Sequence, residues 1–213
     1  MRRIDVRVGF FGAVAILVVA AAAHAAFEIT SAIQIELDRQ KKIVAGWAAD
    51  RVIVRAVVEQ NAKGPLSDMD NAKWKVLRRS DPLVTAFQSN AAGRFLQAKL
   101  EASGGLITEA FLSAAQGEKV AFAEKTTSYI HKGMPKFDVP FSTRSVWQGR
   151  PEFDESAQTY QIQISVPVLA DGQSVGAMVV GVSRPCAMAM RISGTSSRSS
   201  VATWARSSMR GQT

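Results

Sequence analysis

Gly104 and Gly105 divide this chain into two hydrophobic patterns, and the change between them constrains the fold more than any other feature. Upstream the period is helical. Ile29, Ile33, Leu37, Val44, Trp47, Val54 and Val58 recur at spacings of three, four and seven, one apolar stripe on a long helix over residues 27–62. Asp50 is placed to cap a second part of that helix, and Asn61-Ala62-Lys63-Gly64-Pro65 ends it. Asp68 or Asp70 caps a short helix with Trp74. Asp81-Pro82 opens a third, which carries Leu83, Phe87, Ala91, Phe95 and Leu96 up to the glycine pair.

Downstream the period becomes two. Residues 106–113, 119–124, 145–153, 159–169 and 174–183 predict five strands, joined in part by Ala115-Gln116-Gly117-Glu118 and the Asp171-Gly172 turn. Residues 125–144 read as an irregular segment, too long for a turn and of the kind that carries function. Helices first and antiparallel strands after predict an α+β domain with a single sheet. In the fourth strand Ile162, Ile164 and Val166 alternate with Gln161, Gln163 and Ser165. The apolar set faces a core. The polar set faces either water or a ligand, and if it is covered each amide needs a partner.

The net charge of +8 does not mark a nucleic-acid surface. It resides in the ends: Arg2, Arg3 and Arg7 against Asp5 in front, and five arginines with no acid over residues 184–213. Between them 18 Lys and Arg face 17 Asp and Glu, without the basic clusters that phosphate binding requires. The front arginines precede an apolar run from Val8 to Ala23 and then Ala23-His24-Ala25. This is either a cleaved signal peptide or an uncleaved N-terminal membrane anchor, and both readings put the domain in the periplasm. Cys186 is the only cysteine, so no disulfide forms within the chain. No further run of spanning length follows, and no output domain is expected.

Catalytic patterns are not visible. No set of residues has metal-ligand spacing, no cofactor loop is present, and His131 stands without a nucleophile elbow. Glu152, Asp154 and Glu155 bracket a hairpin turn, where acids are ordinarily solvated. An enzyme is not expected.

Phe111-Leu112-Ser113-Ala114-Ala115-Gln116-Gly117-Glu118-Lys119-Val120-Ala121, followed by Thr126-Thr127-Ser128-Tyr129, resembles the core of Cache domains. These are the PAS-like, extracytoplasmic PDC sensor domains of bacteria. Pro151 to Tyr160, Ile164 to Val168 and Val175 to Val182 are similar to the last three strands of the same domain, and Trp47-Ala48-Ala49-Asp50 to the helix end of single-Cache proteins. The likeness covers about residues 28–183. It implies a long N-terminal helix and further helices packed on a five-stranded antiparallel PAS-like sheet. It also implies that the opposite sheet face holds a small ligand, an amino acid or a carboxylate, beneath the segment between the second and third strands.

Tyr129 matches the family's tyrosine. Where the family carries an aspartate, a tryptophan and an acidic pair, this chain has Ser128, Ile130 and Gly133-Met134. These departures remove negative charge from the segment and favour an anion, to be met by His131, Lys132, Lys136 and Arg144. The candidate ligand contacts are therefore Tyr129, His131, Lys136, Arg144, Gln161 and Gln163.

The chain thus divides into a targeting segment at 1–26, a sensor domain at 27–183 and a basic Ser/Arg-rich tail at 184–213 that composition reads as disordered. The expected function is extracytoplasmic small-molecule sensing, with signalling through a membrane partner. The other reading is an interaction module without ligand, forming a homodimer or docking a partner through its long helix.

Overall fold

The computed structural model describes residues 29–154 and 159–183. The targeting segment, Glu155 and the basic tail lie outside the described residues. The predicted long helix is present in two parts, α1 (Ser31–Ala48) and α2 (Arg51–Lys63). The Asp50 side chain accepts a hydrogen bond from Val52 N and starts the second part, as its position in the sequence suggested. Asp70 caps α3 (Asn71–Val76), and Asp81 with Pro82 opens α4 (Pro82–Ser89).

The third predicted helix is divided. Asn90 ends α4 and caps α5 (Ala91–Ala102) by accepting from Gly93 N. A Cβ on Gly93 would overlap the Gln88 carbonyl, so the crowded junction between the two helices requires glycine there.

The strands are β1 (Ile107–Ala114), β2 (Lys119–Phe122), β3 (Trp147–Asp154), β4 (Thr159–Ala170) and β5 (Gln173–Val182). They form one antiparallel sheet in the order β2-β1-β5-β4-β3. The fold is therefore α+β, with a PAS-like five-stranded sheet. Residues 125–144 depart from the irregular reading, because they include α6 (Pro135–Thr143). Proline at its first turn needs no N–H donor there, and Phe137 and Pro140 give it a buried face against the sheet.

The two sheet faces differ. On one, Ile33, Leu37, Val44, Ile53, Val57 and Leu96 of α1, α2 and α5 pack on Leu112, Ile162, Ile164, Val166, Met178 and Val180. On the other, Trp74, Val84, Phe111, Phe122, Tyr129 and Val179 form an aromatic cluster, while α6 packs over β3, β4 and β5. Ile164 is fully buried in the first cluster. Ile164→Ala is expected to cost about 2–5 kcal/mol of unfolding free energy, the usual range for a large-to-small change in a core. Denaturant titration measures this, and a loss below about 1 kcal/mol would show that the helical layer does not press on β4.

Candidate functional site

The site begins with the polar face of β4. In the register, Glu109 of β1 and Gln163 of β4 both pair with Gly181 of β5. The glycine leaves a gap between the outer strands, and longer side chains meet across it. A Cβ at Gly181 would fall on the Gln161 amide. Gln163 Nε2 donates to Glu109 Oε2 at 2.9 Å, and Gln161 Nε2 to the same oxygen at 3.3 Å. Gln161 Nε2 also donates to Asp154 Oδ2, and its carbonyl accepts from Thr108 Oγ1 at 2.8 Å. Gln163 Oε1 accepts from Lys136 Nζ at 3.2 Å. One amide thus holds two carboxylates together, and the other holds a carboxylate and an ammonium group apart. Both glutamines are buried and both have the partners that burial demands.

These groups surround a cavity of about 240 Å³ lined by Glu109, Thr126, Thr127, Ser128, His131, Lys136, Glu152, Phe153, Asp154 and Gln163. Glu109 is only 5% exposed, and its Oε1 accepts no hydrogen bond from the described residues. The cavity wall is anchored from outside. Asn71, the first residue of α3, accepts from both Tyr129 N and Ile130 N and donates to Ile130 O. His131 N bonds the Gly117 carbonyl at 2.7 Å.

Behind the wall lies a buried amine. Lys119 has no exposed surface, and its Nζ sits 3.7 Å from the Phe111 ring centroid and donates to Thr126 Oγ1 at 2.6 Å. Burial holds its ammonium well below the ordinary lysine range, with Glu109 pulling the other way. Burial pushes the Glu109 carboxyl up, opposed by Lys136. The His131 ring stacks on Phe111 with centroids 4.4 Å apart. Burial, then Lys119 and Lys136, hold it well below its ordinary pKa of 6.5, so it is neutral near pH 7.

Four of the six residues named from the sequence come together here: His131, Lys136 and Gln163 on the cavity, and Gln161 directly behind it. Tyr129 is placed in the aromatic cluster, where its hydroxyl accepts from Leu66 N at 3.0 Å. Arg144 caps α6 with φ 57°, and its guanidinium donates to Gln173 Oε1 at 2.8 Å, away from the cavity lining. Lys132 is exposed and does not line the cavity either. The sequence pattern does not single out Glu109, and it reads Glu152 and Asp154 as solvated turn acids. The available signal was an acid at position 109, two residues before Phe111 on the same face of an apolar strand. Among the described residues, the cavity lining brings the carboxylates of Glu109, Glu152 and Asp154 together with the ammonium group of Lys136.

No protein-family model matches this sequence, and no curated protein matches it. Among solved structures, the fold is similar to the sensory domain of the Campylobacter jejuni chemoreceptor Tlp3 with isoleucine bound, at 14% identity and a TM-score of 0.41. That match covers 70% of this chain and 54% of the Tlp3 domain. It is also similar to the sensor domain of the V. cholerae histidine kinase DctB, at 15% identity and a TM-score of 0.40, covering 76% of this chain and 61% of that one. A third is the ligand-binding domain of the Pseudomonas fluorescens chemoreceptor CtaA with L-serine, at 17% identity and 0.35, covering 71% and 61%. This chain spans little more than half the length of the Tlp3 domain.

Two outcomes follow from the geometry. Gly181→Ala displaces the Gln161 amide, the end of a flexible side chain, so the domain is expected to fold while Glu109 and Asp154 lose their common donor. An increase in the Glu109 pKa, read by carboxyl NMR, checks this. For His131, the unfolded chain takes up a proton first as the pH falls. Its stabilising contribution is present above pH 6.5 and is lost as the pH falls from there towards the folded value, by at most about 1.4 kcal/mol per pH unit. Glu109, shifted up, works in the opposite sense, so wild type must be compared with His131→Gln. The wild-type advantage in unfolding free energy is expected to shrink between pH 7.5 and 5.5. A constant difference would mean that the imidazole is not buried in its neutral form.

Proposed function

We propose that this domain is an extracytoplasmic sensor module that binds an amino-acid-like small molecule in the cavity beside β4, without turnover. One observation supports this above the rest. Glu109 and Lys136 both reach the cavity and are held apart by a single amide, that of Gln163. A ligand carrying both an ammonium and a carboxylate group matches that pair: the ammonium meets Glu109 Oε1, and the carboxylate meets Lys136. Thr126 and Ser128 add polar lining at the wall. The volume lies below the roughly 300–1,000 Å³ of pockets for drug-sized molecules and suits a small metabolite. The basic and apolar N-terminal segment supports export to the periplasm, and signalling would then run through a membrane partner.

Thermal unfolding of the chain against a panel of L-amino acids and of simple carboxylates tests the proposal. A ligand that binds only the folded state adds about 2.7 kcal/mol of stability at a hundredfold excess over its dissociation constant. Amino acids are expected to raise the midpoint more than carboxylates of equal length. Glu109→Gln, which keeps shape and removes charge, and Lys136→Ala are each expected to weaken binding about tenfold or more. Equal shifts with both panels would remove the ammonium from the reading.

A further inference from the structure

One exposed aromatic patch has no cover among the described residues. Phe153 and Tyr160 are cross-strand partners at the end of β3 and the start of β4. Their rings meet edge to face with centroids 5.3 Å apart, yet they are 49% and 57% exposed. Tyr160 continues the row of Ile164 and Ile162, and that row passes from fully buried to exposed. The helical layer therefore ends between Ile162 and Tyr160. The patch also stands on an edge. β3 is the last strand of the sheet, and no described strand pairs with its outer side. Pro151 removes one donor from that edge, so an occupant is held by side chains more than by a ladder.

The chain itself leaves the sheet beside this patch. Val182 of β5 pairs with Ile162, and Ile162 with Pro151. Ser183 then comes level with Gln161, one residue from Tyr160. It is fixed there: its N–H donates to Leu106 O at 2.8 Å and its Oγ to Gly105 O at 2.9 Å. A position outside β3 lies three strand spacings from β5, about 14 Å. Five residues of extended chain reach about 16 Å. The sequence at that distance is Cys186-Ala187-Met188-Ala189-Met190-Arg191-Ile192, which lies outside the described residues. It differs in composition from the rest of the tail. It holds no serine, and Met188, Met190 and Ile192 alternate with Ala187, Ala189 and Arg191, the pattern of an extended segment with one apolar face. Methionine is also a side chain that adapts to an irregular aromatic surface, through sulfur–ring contacts.

We propose that residues 186–192 dock back on this patch, with Met188 and Met190 over the rings of Phe153 and Tyr160. The short tether keeps the segment at high effective concentration, so weak contacts suffice. Phe153 also lines the cavity beside β4, and the docked segment adjoins that cavity's outer wall. Docking depends on the sheet edge and on the sequence after β5, and not on which ligand the cavity takes.

Oxidation by hydrogen peroxide, followed by peptide mass spectrometry of the full 213-residue chain, tests the docking. Met209 lies in the same tail and serves as the reference. Met188 and Met190 are expected to oxidise about fivefold or more slowly than Met209 in the native chain, with the difference lost after unfolding in urea. In the double variant Phe153→Ser, Tyr160→Ser the protection is expected to disappear. Both side chains are about half exposed, so this variant is expected to fold, which circular dichroism checks. Equal rates in the native chain would overturn the proposal. Protection that survives the double variant would overturn the placement on these two rings. Protection that grows with protein concentration would show that a second copy supplies the segment, and would overturn docking within one chain.

Discussion

A carboxylate and an ammonium group of the cavity meet the two ends of one buried amide, and the geometry of the site follows from that constraint. Gln163 can donate to Glu109 and accept from Lys136 only in one orientation, because an amide has a donor end and an acceptor end. Its backbone position is fixed by pairing with Gly181, and the glycine is what lets Glu109 approach from the far strand. Gln161 repeats the arrangement one layer further along, with its amide shared between Glu109 and Asp154 and its carbonyl taken by Thr108. Removing one member would leave buried polar groups without partners, which costs more than the hydrogen bonds themselves contribute.

The same face carries an amine that most cores exclude. Lys119 is fully buried, yet it rests on the Phe111 ring and donates to Thr126, and Glu109 lies close enough to favour its charged form. Phe111 joins the aromatic cluster to the polar layer: Trp74, Phe122 and Tyr129 lie in the cluster with it, and His131 stacks against it. Tyr129 thus acts from inside the wall. Its ring packs with Trp74, its hydroxyl holds Leu66 N, and its own N–H is held by Asn71. In the sequence a tyrosine next to a candidate ligand contact reads as a contact too, because the phenol's polar end can serve either a ligand or the backbone.

Much of the architecture is legible in the sequence because it is local. Asp50, Asp70 and Asp81 each mark a helix start, since a capping oxygen acts within three residues of its own position. The alternation of Ile162 and Ile164 with Gln161 and Gln163 separates the helical core from the cavity face, since the period of a strand is two. The cavity's acids are not local. Glu109 lies more than fifty positions from Gln163, and their meeting depends on the order of three strands and on the gap at Gly181. Glu152 and Asp154 look like turn acids because their hairpin loop follows directly, while the register turns them onto the face of Gln161. The helix α6 was hidden by its two prolines, one at its first position and Pro140 inside it. A nine-residue helix has too few repeats for a period to show against that signal.

The departures in the segment after β2 change meaning once the cavity is known. Loss of negative charge at Ser128, Gly133 and Met134 looks, along the chain, like a change of ligand sign. In three dimensions the acids of the site come from β1 and β3, so the segment's own charge does not decide the balance. What the segment supplies is Lys136, at the start of α6, and the neutral polar lining of Thr126, Thr127 and Ser128. The sheet sets the negative charge on rigid strands, and the segment sets the positive charge on a short helix. Gln163 is the bond between the two, at 3.2 Å from the lysine. Under the proposed reading, a ligand carboxylate at Lys136 would act on α6, and a ligand ammonium at Glu109 would act on the sheet. A molecule that bears both groups would then bridge those two elements, which a simple anion or a simple amine would not do.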